Sequence, residues 1–181
     1  MKKKALIIAL LALGSFPIFS QAYIGLTTGE ANLLRGPGTN HEIIATLNAG
    51  TVIFAASNET QNGFINIIDV ETNREGYVHQ SLVNLVREVE ISNGGILVPD
   101  RRTKIGGRSA VEIYNHTYLT LSVKLNQETF TFQPNEKRVV YVTSGPCNFI
   151  ASAPGVLPAV GLENLSGNWQ YSWEFYIGSS R

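Results

Sequence analysis

Alternation with a period of two runs through the second half of this chain, and it constrains the fold more than any other feature. Tyr171, Trp173, Phe175 and Ile177 take every second position, as do Leu119, Leu121, Val123 and Leu125, followed by Phe130 and Phe132. Side chains at i, i+2 and i+4 share one face of a β-strand, so each run predicts a strand with one buried face. Asn126-Gln127 falls between two such runs and reads as a hairpin connection, without the Gly of the strongest hairpin turns. Pro134-Asn135-Glu136 predicts a turn before a strand over 138–142; Phe149 and Ala151 mark another strand, and 154–161 reads as a Pro/Gly loop. About seven short strands of this kind predict an antiparallel immunoglobulin-like β-sandwich, without the paired cysteines of true immunoglobulins.

The first half also lacks helical periodicity. Short strands are predicted over 43–47, 51–55, 63–70 and 75–79, with turns at Gly36-Pro37-Gly38, Asn48-Ala49-Gly50 and Asn62-Gly63. Such spacing favours a small barrel. Phe54 alternates into a strand and reads as core. The whole chain is therefore expected to be all-β, with no metal or cofactor motif: His41, His79 and His116 are dispersed, and neither a phosphate loop nor a nucleophile elbow is present.

Charge divides the chain. Residues 23–93 carry three basic and eight acidic side chains, net −5, whereas 94–181 carry eight and six, net +2. The change falls at Ser92-Asn93-Gly94-Gly95, which reads as a linker or turn between a module over 23–91 and one over 95–181. The opposite signs favour docking of the halves, weakly, because exposed charges are screened. The formal charge of the whole chain is zero, which argues against a nucleic-acid binder of the basic-patch kind.

Met1 to Lys4 form a basic start, 5–13 an apolar run, and Ser20-Gln21-Ala22 places small residues where a signal peptidase reads. Residues 1–22 are thus expected to be a leader cut after Ala22, giving a secreted or periplasmic protein with no transmembrane segment in its mature chain. The single Cys147 forms no disulfide within the chain and reads as a buried thiol rather than a nucleophile. Asp69 and Glu71 alternate onto one face and read as a solvated acidic edge. Trp173 and Phe175 read as core, and Trp169, outside the alternation, is the more plausible exposed aromatic. Arg101, Arg102, Lys104 and Arg108 form the basic cluster, read as a solvated loop or a surface for an anionic partner.

One stretch resembles a known family. Asn32-Leu33-Leu34-Arg35-Gly36-Pro37-Gly38-Thr39-Asn40-His41 is similar to the opening of bacterial SH3-like (SH3b) domains, Ile43 through Gly50-Thr51 to their next step, and Gly76-Tyr77-Val78-His79 with Ser81-Leu82 to their close. Leu34 stands in the family's usual Arg position, and Tyr77 replaces its Trp. The resemblance implies an SH3-like barrel that binds cell-wall peptides or glycans, in proteins often accessory to lytic enzymes. It places a ligand groove between the loop carrying Arg35, Asn40 and His41 and the segment Tyr77 to His79, with Tyr77 either filling the barrel or walling the groove. The leading expectation is an exported, non-catalytic binding or adaptor protein of the bacterial cell envelope, with no cofactor. The alternatives are a structural subunit that pairs with another protein through a sandwich edge, or a hydrolase whose site is assembled in three dimensions.

Overall fold

A computed structural model describes residues 21–177 of the chain. Of the expected leader, residues 1–20 lie outside the described ones, whereas Ala22 is fully buried and paired with Val89, so the fold includes a residue that a cut after Ala22 would remove. Seventeen strands and one short 3₁₀ turn, Gln80–Leu82, make up the described structure, so the chain is all-β. The first eight strands are β1 (Ala22–Thr27), β2 (Ala31–Leu34), β3 (Ile43–Leu47), β4 (Val52–Ala55), β5 (Thr60–Gln61), β6 (Phe64–Asp69), β7 (Arg74–His79) and β8 (Val83–Val89). They form a single sheet in the order β3-β2-β7-β6-β4-β1-β8, with β5 added to β6. One apolar cluster gathers Leu33, Leu47, Ile53, Ile65, Ile67 and Val78, with Leu85 of the far edge packed against it. Residues from both edges meet in one core, which requires the sheet to curl around it as a barrel does. Asn62 and Gly63 both take positive φ, 53° and 80°, and the two-residue turn they form lets β5 pair back onto β6.

The second module contains β9 (Ser92–Asn93), β10 (Val98–Arg102), β11 (Ser109–Asn115), β12 (Leu121–Leu125), β13 (Glu128–Phe132), β14 (Lys137–Val142), β15 (Gly145–Ala153), β16 (Val156–Leu165) and β17 (Trp169–Phe175). Two sheets, β10-β17-β11-β14 and β13-β12-β15-β16-β9, face each other. Their core holds Val111, Ile113, Val123, Phe132, Phe149 and Trp173 from both layers, which makes the module a sandwich. Pairing is antiparallel except between β11 and β17 and between β9 and β16, which are parallel. Asn126 supplies the positive φ of 54° that its two-residue hairpin needs.

One reading of this half is corrected. The span 154–161 is a two-residue turn followed by β16, not a loop. Its Pro158 falls where the pairing with β15 shifts register between Ala151 and Ala153, a place where a missing N–H is tolerated. Gly161 is there because a Cβ would lie 2.4 Å from the Phe149 ring. The segment 92–95 turns on two glycines of positive φ and is tied to the second module. Its residues Ser92 and Asn93 pair with Gly161 and Leu162, and the Glu163 carboxylate accepts hydrogen bonds from the backbone N–H of Gly95 (3.3 Å), Ile96 (2.8 Å) and Leu97 (3.1 Å).

The modules dock through an apolar cluster: Ala22, Phe54, Ile68 and Val70 of the first against Ile150 and Val160 of the second. Phe54 is buried, as expected, but between the modules rather than inside one. Ile150 and Val160 are cross-strand partners, and Lys124 pairs with Ile150 in the same row. That row faces the first module, where Lys124 meets Glu75 at 2.7 Å. From Cys147 to Ala153 every residue of β15 is buried, because its sheet is covered on both faces. Apolar burial holds the halves together; their opposite charge contributes one partly exposed ion pair, a small term.

Candidate functional site

β2 and β7 are neighbours through Leu34 and Tyr77, which brings the two family-like segments side by side. The loop after β2 is shaped by its own side chains. A Cβ on Gly36 would lie 2.7 Å from the His41 ring, and one on Gly38 would lie 2.8 Å from Asn40 Oδ1. Asn40 and His41 thus fold back over the turn, against Gly38 and Gly36. Arg35 Nε donates to Glu42 Oε2 at 2.6 Å, and Arg35 N–H to the Glu42 carbonyl at 2.9 Å, closing the loop's base. That bond, reinforced by the opposite charge, holds the Glu42 carboxyl below its usual range and raises Arg35 above its own. Both side chains are about two-thirds exposed, so the pair organises the loop without adding much stability.

The Asn62 turn meets this loop: Asn62 Nδ2 donates to the Pro37 carbonyl at 3.2 Å. His79 lies next to it. Its ring stands edge-on to Phe64 at 5.2 Å, and Nδ1 lies 2.8 Å from Ser81 Oγ and 3.4 Å from Ser81 N, capping the 3₁₀ turn. A Cβ on Gly63 would sit 3.5 Å from His79 Nε2, so the ring reaches the turn. The Arg35–His41 loop, the Asn62-Gly63 turn and His79 therefore converge at one end of the barrel. The exposed side chains there include Arg35, Asn40, His41, Asn62 and His79.

Tyr77 is half-buried, and its cross-strand partners are Leu34 and Asn66. On β7, Glu75, Tyr77 and His79 share the face opposite Gly76 and Val78, which is the core side. Glu75 holds Lys124 of the sandwich. A continuous strip thus runs from the Gly-Pro-Gly loop past His79 and Tyr77 to the docked second module. Sequence reasoning placed the loop and β7 together but missed three contributors: Asn62, Asn66 and Lys124. The Asn62-Gly63 signal was present and was read only as a turn. Lys124 carried no signal, because docking of distant modules brings it in.

Other candidates fall elsewhere. Cys147 is fully buried, and burial, with the Glu163 carboxylate second, pushes its thiol up to about 11, far from a neutral-pH nucleophile. Asp69 is buried, not a solvated edge: it accepts from Thr72 Oγ1 at 2.5 Å and Glu71 N at 3.2 Å to shape the turn after β6. Trp169 is half-buried, packed on the sandwich core with the Arg102 guanidinium 5.4 Å from its ring centre. Among the described residues Tyr118, Tyr141 and Tyr176 are the large exposed rings. Tyr176 stacks on His116 at 4.4 Å, in the sandwich and apart from the other two histidines. Among the described residues no three of His, Cys, Asp and Glu gather as a metal site would require, and no helix is long and apolar enough to cross a membrane.

No family model matches the sequence, and no curated protein matches it. Among solved structures, one titled "Structure of NlpC1 from Trichomonas vaginalis" is similar over 96% of this chain at 15% identity, with a TM-score of 0.31. The chain spans 54% of that structure's length. A likeness at that score carries no argument about fold or activity.

Proposed function

We propose that this chain is an exported, non-catalytic binding or adaptor protein of the bacterial cell envelope, whose first module is an SH3b-like barrel that contacts peptidoglycan or an envelope protein. The observation that carries this reading is the convergence of the Gly-Pro-Gly loop, the Asn62 turn and His79 beside Tyr77. An aromatic ring, amides, a guanidinium–carboxylate pair and two imidazoles on a solvent-open strip suit a polar peptide or glycan. The alternative, assembly by strand addition, meets guarded edges. β10 carries Pro99, a register shift and three charged residues, while carbonyls of β13 and β14 already accept guanidinium hydrogen bonds from Arg138 and Arg108.

A sedimentation assay on purified wall sacculi tests the proposal. The exported chain is expected to pellet with sacculi, and the double variant Arg35→Ala with Asn40→Ala to lose at least about tenfold in affinity. Both sites are exposed, so the melting temperature should hold within the small range of surface substitutions. A double variant that keeps its melting temperature and its full binding overturns the assignment of this strip.

A further inference from the structure

Two cross-strand rows meet where the modules dock. In the barrel, Phe54, Ile68 and Glu75 are successive partners across β4, β6 and β7. In the sandwich, Val160, Ile150 and Lys124 are successive partners across β16, β15 and β12. The apolar members pack together, and both rows reach the edge of that contact at the Glu75–Lys124 pair, 2.7 Å apart. There the contact opens to solvent. Thr129, which continues the sandwich row onto β13, is exposed, and the Lys124 and Glu75 side chains remain 29% and 36% exposed.

Docking alone does not account for this pair. Apolar burial already holds the modules, and a partly exposed ion pair adds little. Among the described residues it is the one ion pair that bridges them. It also has capacity to spare: Lys124 Nζ has three N–H groups, one of which Glu75 Oε1 accepts, and the second oxygen of that carboxylate takes no part in the bond. Its place is in line with the strip. Glu75, Tyr77 and His79 follow at two-residue steps on β7, about 14 Å from first to last, the length of about four extended residues. A second exposed pair, Arg35–Glu42, stands at the loop end. The strip therefore offers a cation and a carboxylate at each end, with a surplus of neither sign.

We infer that the sandwich completes this site: the Glu75–Lys124 junction is a subsite for the end of a short peptide that carries both a free carboxylate and a free amine. The carboxylate takes the spare N–H groups of Lys124, the amine takes the second oxygen of Glu75, and the chain runs past Tyr77 toward His79. Such charge-assisted bonds are the strong ones in a site of this kind. A polyanion finds no excess of cations here, whereas a zwitterionic end finds a partner for each charge. The inference rests on the strip being the ligand surface, as proposed above, and gives the second module a part in it.

Soluble muropeptides released from sacculi are the probe, titrated into the exported chain beside two others: muropeptides with amidated carboxyl groups, and peptide-free glycan strands. Lys124→Gln should weaken muropeptide binding at least about tenfold, the scale of a hydrogen bond to a charged group. Lys124→Arg keeps a cation and should restore most of the affinity. Lys137→Gln removes the same charge from the opposite sheet and should change affinity by less than about twofold, as a surface substitution does. Amidated muropeptides should bind the wild type as weakly as free muropeptides bind Lys124→Gln, a comparison that needs no variant to fold. The two possible failures are distinct. If no muropeptide binds the wild type, the strip falls as a ligand surface and this inference with it. If muropeptides bind but Lys124→Gln or amidation changes affinity by less than about twofold, or glycan strands bind as tightly, this inference alone is overturned.

Discussion

Phe54→Ala is expected to destabilise both modules at once, by about 3–5 kcal/mol, the usual cost of deleting a fully buried Phe ring. Phe54 is 1% exposed, pairs with Ile68 across β4 and β6, and packs with Ile150 and Val160 of the sandwich. Removing the ring opens a cavity on a shared surface, so the loss is not confined to the barrel. The measurement has a built-in reporter. Both tryptophans, Trp169 and Trp173, lie in β17 of the second module, while Phe54 lies in the first. Urea unfolding followed by tryptophan fluorescence should shift to lower urea together with the far-ultraviolet circular dichroism. A tryptophan midpoint that stays at the wild-type value while the dichroism splits into two steps would show modules that unfold separately, and would contradict the docking described here.

Asn115→Ala should cost a similar amount, about 3–5 kcal/mol, by a different mechanism. Asn115 is fully buried at the end of β11. Its Nδ2 donates to the carbonyls of Leu119 (2.8 Å), Phe132 (3.3 Å) and Gln133 (3.0 Å), and its Oδ1 accepts from Thr117 N (3.1 Å) and Thr117 Oγ1 (2.7 Å). One amide thus ties the β11–β12 connection to the end of β13. Without it several buried groups lose their partners, at about 1–3 kcal/mol for each left unsatisfied. Asn115→Asp should be at least as damaging, because a carboxylate oxygen would then face three carbonyls. A denaturation midpoint within experimental error of wild type for Asn115→Ala would refute this role.

Asn115 also shows where sequence reading stops. Asn115-His116-Thr117 matches a glycosylation acceptor, but nothing local tells that the amide is enclosed by β13 and the turn after it. The strands themselves were legible. Leu121, Val123 and Leu125 face the core as their alternation required, and Asn126 and Asn62 take the positive φ that their turns demand. Long-range effects were not legible. Pro158 and Gly161 read as loop residues because their strand tolerates them only through a register shift and a neighbouring ring, both set by β15. The apolar residues on the outer side of β15 and β16 carried a signal of double-sided burial, but not of which surface covers them. Likewise the Gly-Pro-Gly loop and β7 could be paired from the sequence, whereas the Asn62 bond to Pro37 and the arrival of Lys124 beside Glu75 depend on the folded barrel and the docked sandwich.

The central claim is that the strip from the Arg35–His41 loop to Tyr77 is a ligand-binding surface. Its most direct test is a backbone amide NMR titration of the isotope-labelled exported chain with soluble muropeptides released from sacculi. The account predicts shift changes concentrated at residues 35–42, 61–63 and 77–81, saturating together with one affinity, while the sandwich core stays unchanged. Shift changes confined to the second module, or none at millimolar muropeptide while the chain still pellets with sacculi, would contradict it.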